Sequence, residues 1–136
     1  MKHPVRYMCV AFVLLLTACS GIPLHERDQQ LQQKYLEYAG APVDHFNYLG
    51  HFDSWRALSD TQLVVWTTIN QAYLLSVAQP CINLQFAQRI GVSATVGTVN
   101  RGLDYVLVER QRCQITDIRP VDYKKMMADR RKPAGS

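Results

Sequence analysis

The chain has 136 residues, 48% of them hydrophobic and 19% charged, with four cysteines and a formal net charge of +4. That length holds one domain with a moderate core and excludes a multidomain enzyme. The apolar fraction excludes a disordered chain, and no apolar run reaches the roughly 18 residues a permanent membrane-spanning helix needs.

Lys2, His3 and Arg6 make a short basic start, followed by nine apolar residues (8–16) and then small side chains. Residues 1–18 follow the plan of a secretory signal peptide, with a positive start, a short apolar run and a small-residue cleavage site. The run has no polar face with which to pack as a core helix. Leu16-Thr17-Ala18-Cys19 resembles the lipobox of bacterial lipoproteins. The resemblance implies that the Cys19 thiol accepts a diacylglyceryl group, that a peptidase cuts before it, and that the new amine is acylated, palmitate being a typical chain. Several acyl chains make a stable anchor. Ser20, in place of the Asp that holds such proteins at the inner membrane, implies the periplasmic leaflet of a Gram-negative outer membrane.

Residues 19–43 read as a lipidated tether and helix. Residues 26–39 are rich in Gln, Leu and Glu, with Leu31, Tyr35 and Tyr38 at helical spacing, and Gly40 and Pro42 stop the helix. Residues 44–123 read as a β-rich, cystine-stapled domain. The β-branched and aromatic run 63–68 and the run 72–77, joined through Ile69-Asn70-Gln71, predict a hairpin over 62–78 that Pro80 ends. Ile82, Phe86 and Ile90 fall at i, i+4 and i+8, which predicts one short internal helix closed by Gly91. Residues 92–96 suggest a strand, Asn100-Arg101-Gly102 a turn, and 103–109 with 113–118 a second hairpin around Arg110-Gln111-Arg112. The expected fold class is α+β: a small antiparallel sheet or partly open barrel of five to six short strands after an N-terminal helix.

Cysteine usage fits the same compartment. With Cys9 removed in the signal and Cys19 lipidated, Cys81 and Cys113 remain and most simply form a disulfide in an oxidising environment. The alternative is a pair of unbonded buried thiols. There is no Cys-x-x-Cys redox motif, and no zinc-ligand spacing.

Residues 124–136 form a basic tail, with Lys124, Lys125, Arg130, Arg131 and Lys132 against Asp129. The folded body is slightly acidic without signal and tail, which removes the main support for nucleic-acid binding. The expectation for the tail is a solvated, frayed terminus; the alternative is contact with an acidic surface such as anionic lipid headgroups.

Trp55-Arg56-Ala57-Leu58, Ala72-Tyr73-Leu74-Leu75, Cys81, residues 102–106 and the ending Cys113-Gln114-Ile115-Thr116-Asp117-Ile118-Arg119-Pro120-Val121-Asp122 resemble a family of small bacterial lipoproteins, a domain of unknown function. The resemblance covers about residues 44–123 and implies a compact cystine-stapled periplasmic domain. It implies no activity.

Catalytic patterns are not found. His45 and His51, with Asp44 and Asp53, lack zinc-ligand spacing and read as a polar loop. Ser54, Ser59, Ser76 and Ser93 sit in no nucleophile motif, and Asp104 and Glu109 are the nearest approach to paired carboxylates. The expectation is no enzyme, no cofactor and no metal. The aromatics, Phe46, Tyr48 and Phe52 among them, read mainly as core material at strand or helix spacing. The alternative is that Phe46, Tyr48, His51 and Phe52, clustered in a stretch without periodicity, form a partner-binding surface, as could Arg110 and Arg112 at a predicted hairpin tip.

Three functional readings follow. The first is a membrane-anchored, non-enzymatic binding or envelope-associated lipoprotein with a periplasmic protein partner. The second is an inhibitor or immunity lipoprotein that blocks a periplasmic enzyme such as a cell-wall hydrolase. The third is a small-ligand or enzymatic module using the His45–Asp53 region.

Overall fold

The computed structural model describes Gly21 and residues 23–133. Helix α1 (Leu24–Glu37) turns Tyr35 inward as a buried residue, with Leu31 and Tyr38 half-buried beside it, the face its spacing predicts. Beyond it, Gly40 donates its backbone N–H to Pro120 at 2.7 Å, which lays the chain on the last strand of the sheet.

Eight strands follow: β1 (His45–Asn47), β2 (Ser54–Ala57), β3 (Gln62–Thr68), β4 (Gln71–Val77), β5 (Gly91–Val92), β6 (Thr98–Asn100), β7 (Tyr105–Val108) and β8 (Gln111–Val121). Six form one antiparallel sheet in the order β2-β3-β4-β8-β7-β5, and β1 pairs with β6 in a second, two-stranded sheet. The α+β class is as predicted. The predicted β3–β4 hairpin is present, with Val64 opposite Leu74 and a turn at Ile69 and Asn70.

The long strand β8 bends the sheet into a half-barrel. Its first residues pair with β7 (Val106 opposite Cys113), while its later ones pair with β4 (Leu75 opposite Ile118), across a register shift at Ser76 and Val77. The concave side holds a core of Leu63, Val65, Leu75, Leu84, Val106, Ile115 and Ile118, capped by Phe46 and Val99 from the β1–β6 pair. Each such side chain stabilises the fold by roughly 1.5–3 kcal/mol on burial. The convex side carries a second cluster, in which Val64, Trp66 and Leu74 meet Tyr35 of α1 and Met126 of helix α2 (Tyr123–Arg131). With both faces covered, β3 reads as a continuous apolar run from Leu63 to Trp66, and no polar alternation interrupts it.

Four local expectations are corrected. The predicted helix through Ile82, Phe86 and Ile90 is only a single 3₁₀ turn, Leu84–Phe86, because Asn83 at φ 67° sits in the left-handed region and breaks helical continuity. Leu84 is the residue that enters the core, while Ile82 and Phe86 face solvent. The strand expected over 92–96 stops at Val92. The second hairpin turns at Glu109 and Arg110, with Glu109 at φ 53°, so Arg112 lies within β8 instead of at the tip. The tail is not frayed over 123–131: it folds as α2, capped by Asp122, which accepts the Lys125 N–H at 3.0 Å, and anchored by buried Met126.

Candidate functional site

The predicted disulfide is formed: Cys81 and Cys113 are bonded, closing a sequence separation of 32 residues. The bond ties the segment after β4 to the first half of β8, directly over the concave core. Cys19 lies outside the described residues.

The stretch from Asp44 to Asp53 divides its side chains between core and solvent. Phe46 is only 2% exposed and stacks on Tyr73 with ring centroids 4.7 Å apart. Phe52 packs against Phe46 and Tyr48 at 6.4 and 4.9 Å. Phe46 thus follows the core reading and is corrected as a partner-binding position: it is a core cap, and Tyr48 and Phe52 are half-buried around it. The reason is strand alternation, since Phe46 sits opposite Val99 in the β1–β6 pair and both point inward. His45 and His51 are exposed, and Asp44 is held by Arg101 at 2.7 Å. Among the described residues no group of three or more His, Cys, Asp or Glu side chains is placed to hold a metal.

Arg112 is committed locally. Its guanidinium lies 4.5 Å from the centre of the Tyr105 ring, across the β7–β8 ladder, a contact worth about 0.5–1 kcal/mol at an exposed site. Arg110 is exposed at the turn.

Two features were missed by sequence reasoning. The first is a turn, where Thr95 and Thr98 exchange backbone hydrogen bonds at 2.9 and 3.2 Å around Val96 (φ 52°) and Gly97 (φ 72°). Positive φ at both central residues is the tight hairpin geometry that glycine and asparagine favour. A β-branched residue there costs about 1–2 kcal/mol. Val96 is nonetheless 96% exposed, and the Tyr48 N–H, next to exposed Leu49, donates to the Gly97 carbonyl at 2.8 Å. Only Gly97 signalled the turn; Val96 argued for a strand.

The second is a carboxylate knot. Asp104 is 4% exposed and accepts hydrogen bonds from the Asn100 backbone N–H (2.7 Å), the Asn100 amide (3.0 Å) and the Ser93 hydroxyl (2.9 Å). Burial by itself would raise its pKa, but the Asn100 and Ser93 donors win and hold it below the ordinary value of 3.8. Glu109 stands at the other end of β7, so the two carboxylates do not form a pair. Asp104 instead joins the segments around β5, β6 and β7, a structural role that three accepted hydrogen bonds already fill.

A polar groove of about 870 Å³ runs between α1 and α2, lined by Gln29, Gln33, Glu37, Tyr38, Asp129 and Arg130 among others. There the Tyr38 hydroxyl donates to Asp129 at 3.0 Å, and Lys132 binds the same carboxylate at 3.0 Å.

The model of a family of unknown function, DUF6491, matches residues 1–135. The chain belongs to that family. As expected from the resemblance, the family is one of unknown function, and its model covers more of the chain than residues 44–123. No curated protein and no solved structure matches the chain.

Proposed function

We propose that this DUF6491 chain is a lipoprotein whose mature form begins at Cys19, anchored in the periplasmic leaflet of a Gram-negative outer membrane, and that its folded body acts by binding and not by catalysis. The observation that carries the reading is the agreement of two independent signals. Leu16-Thr17-Ala18-Cys19 follows a basic start and a short apolar run, and the folded body holds a cystine that favours an oxidising compartment. The buried carboxylate is spent on structural hydrogen bonds, whereas Leu49, His51 and Val96 stand outward on joined loops, available to a protein partner.

Metabolic labelling with palmitate and fractionation of the envelope test the anchor. The wild type takes up label and sediments with outer membranes, and Cys19→Ala accumulates as an unlabelled precursor. Normal labelling of Cys19→Ala overturns the assignment.

The inhibitor or immunity reading is favoured by one observation, the protruding Val96–Gly97 turn kept at a conformational cost. If this turn enters an enzyme cleft, Val96→Asp abolishes crosslinking to that enzyme in intact envelopes while leaving the fold unchanged. An undiminished crosslink removes the reading.

A further inference from the structure

Three of the exposed large apolar side chains, Leu24, Ile82 and Phe86, lie on neighbouring segments. Ile82 (58% exposed) and Phe86 (80% exposed) flank the 3₁₀ turn beside the disulfide. Gln85, between them, donates to Asp28 of α1 at 3.3 Å. Asp28 lies one turn along α1 from Leu24, on the same face, and Leu24 is 76% exposed. Asp60 and Gln85 line both the crevice against the first half of α1 and the hollow that holds Ile82 and Phe86. The start of α1 and the Ile82–Phe86 turn therefore belong to one end of the molecule. The opposite end holds Ile69, at the far turn of the β3–β4 hairpin, where it shares a hollow with Tyr35, Tyr123 and Arg130.

The anchor reading gives this end a location. From Cys19 to Leu24 the chain can reach at most about 18 Å, at 3.3–3.6 Å per residue. Acylation of Cys19 would hold its sulfur at the level of the lipid headgroups, so the start of α1 could not stand farther from them than that. Exposed apolar residues at this end are then within reach of the boundary between headgroups and acyl chains, where a monotopic surface buries apolar side chains about 5–10 Å deep.

We propose that Leu24, Ile82 and Phe86 form a lipid-contacting facet that seats the folded body on the bilayer bearing its anchor. The facet rests on the lipoprotein reading above and adds an orientation to it. The disulfide end faces lipid, and the Ile69 end with α2 points away. Helix α2 meets α1 through the hydrogen bond from the Tyr38 hydroxyl to Asp129, just past the end of α1 opposite Leu24.

The test uses the full chain purified with its native modification from membranes, then reconstituted in vesicles of phosphatidylethanolamine with a minority of phosphatidylglycerol, some of the acyl chains brominated. Phe86→Trp and Ile82→Trp each place a fluorophore in the facet at an exposed site, and Ile69→Trp places one at the far end. Intact mass reports the acyl groups and the retained disulfide for every variant. The expected result is acylated protein in which brominated lipid lowers the added emission of Phe86→Trp and Ile82→Trp by roughly twofold, as shallow insertion allows. Ile69→Trp adds only unquenched emission. Acylated protein in which all three variants respond alike overturns the facet and leaves the anchor standing, as expected if a second copy or another protein covers these side chains. Protein without acyl mass overturns the anchor reading and the facet with it.

Discussion

The two faces of the half-barrel are built from neighbouring residues of the same strands and are held by different physics. On β4, Leu75 points into the concave core and Leu74 into the convex one. On β3, Leu63 and Val65 go in while Val64 and Trp66 go out. The concave core is aliphatic at its centre under an aromatic cap of Phe46, Phe52 and Tyr73, stapled by Cys81–Cys113 and braced by the Asp104 knot. The convex cluster is aromatic, with Tyr35 and Tyr123 edge-on to Trp66 at 6.1 and 5.5 Å, and its lids are two helices with polar outer faces. The Trp66 indole N–H is buried there without a hydrogen-bond partner. A half-barrel interior capped by a second sheet and a disulfide constrains its side chains on most sides, whereas a face covered by short helices can relax by moving the helices.

The comparison is most sharply tested by truncating the two adjacent leucines. Leu75→Ala should lower unfolding free energy by about 4 kcal/mol and Leu74→Ala by about 2–3 kcal/mol, since the convex side collapses more readily around the missing volume. Equal losses in chemical denaturation would mean that the helices are held as rigidly as the sheet. Replacing both cysteines, Cys81→Ala with Cys113→Ala, should cost about 3–4 kcal/mol by releasing the constraint on the unfolded chain. The same denaturation curves would show it, and an unchanged midpoint would deny the staple its role.

Opposite ends of the pH scale should separate the regions further. Asp104 has its folded pKa below the ordinary 3.8, so its contribution is present above that value and is lost as pH falls through the lower folded one. Asp104→Asn should therefore cost about 1–3 kcal/mol at neutral pH and should flatten the acid limb of a stability profile. An acid limb identical to the wild type's would exclude the knot as its source. Asp129 is also held low, by hydrogen bonds from Lys132 and then Tyr38, but it is solvent-screened and should add little to that limb.

The smallest effect lies on the alkaline side. Burial pushes the Tyr35 phenol above 10.0, and the hydrogen bond to Asp129 pushes Tyr38 the same way. Their contributions are complete below the ordinary tyrosine value and fade as pH rises through the higher folded ones. Trp66 fluorescence should then report a loosening of α1 and α2 while the far-ultraviolet signal of the sheet persists. Simultaneous loss of both signals would show that the two faces unfold as one.

The same contrast explains how much could be read in advance. The β3–β4 hairpin was legible because β-branched runs and the Asn70 turn act locally, and the inward face of α1 followed from the spacing of Leu31, Tyr35 and Tyr38. The segment from Ile82 to Ile90 misled because its helical spacing was overruled by left-handed Asn83 and by Leu84 entering the core. Helix α2 was missed because its stretch is strongly basic and one buried Met126 holds it, a contact that exists only once Trp66 and Tyr35 are already in place. In the candidate regions, the aromatic stretch at Phe46 was found but left open between core and recognition surface. Its partner Val99 lies more than fifty residues away, and no local pattern announces such a pairing.

By itself the sequence determined the β3–β4 hairpin and the helix that Gly40 and Pro42 end, the pair of cysteines left for a staple, and the lipobox-like segment on which the anchor proposal stands. Only the tertiary structure decided that both faces of β3 and β4 are buried, that Asp104 is a saturated knot, and that Leu24, Ile82 and Phe86 share one end of the molecule. Local preferences act over a few bonds and are written in neighbouring residues. Burial, pairing and shared surfaces depend on groups that meet only after the chain has closed on itself.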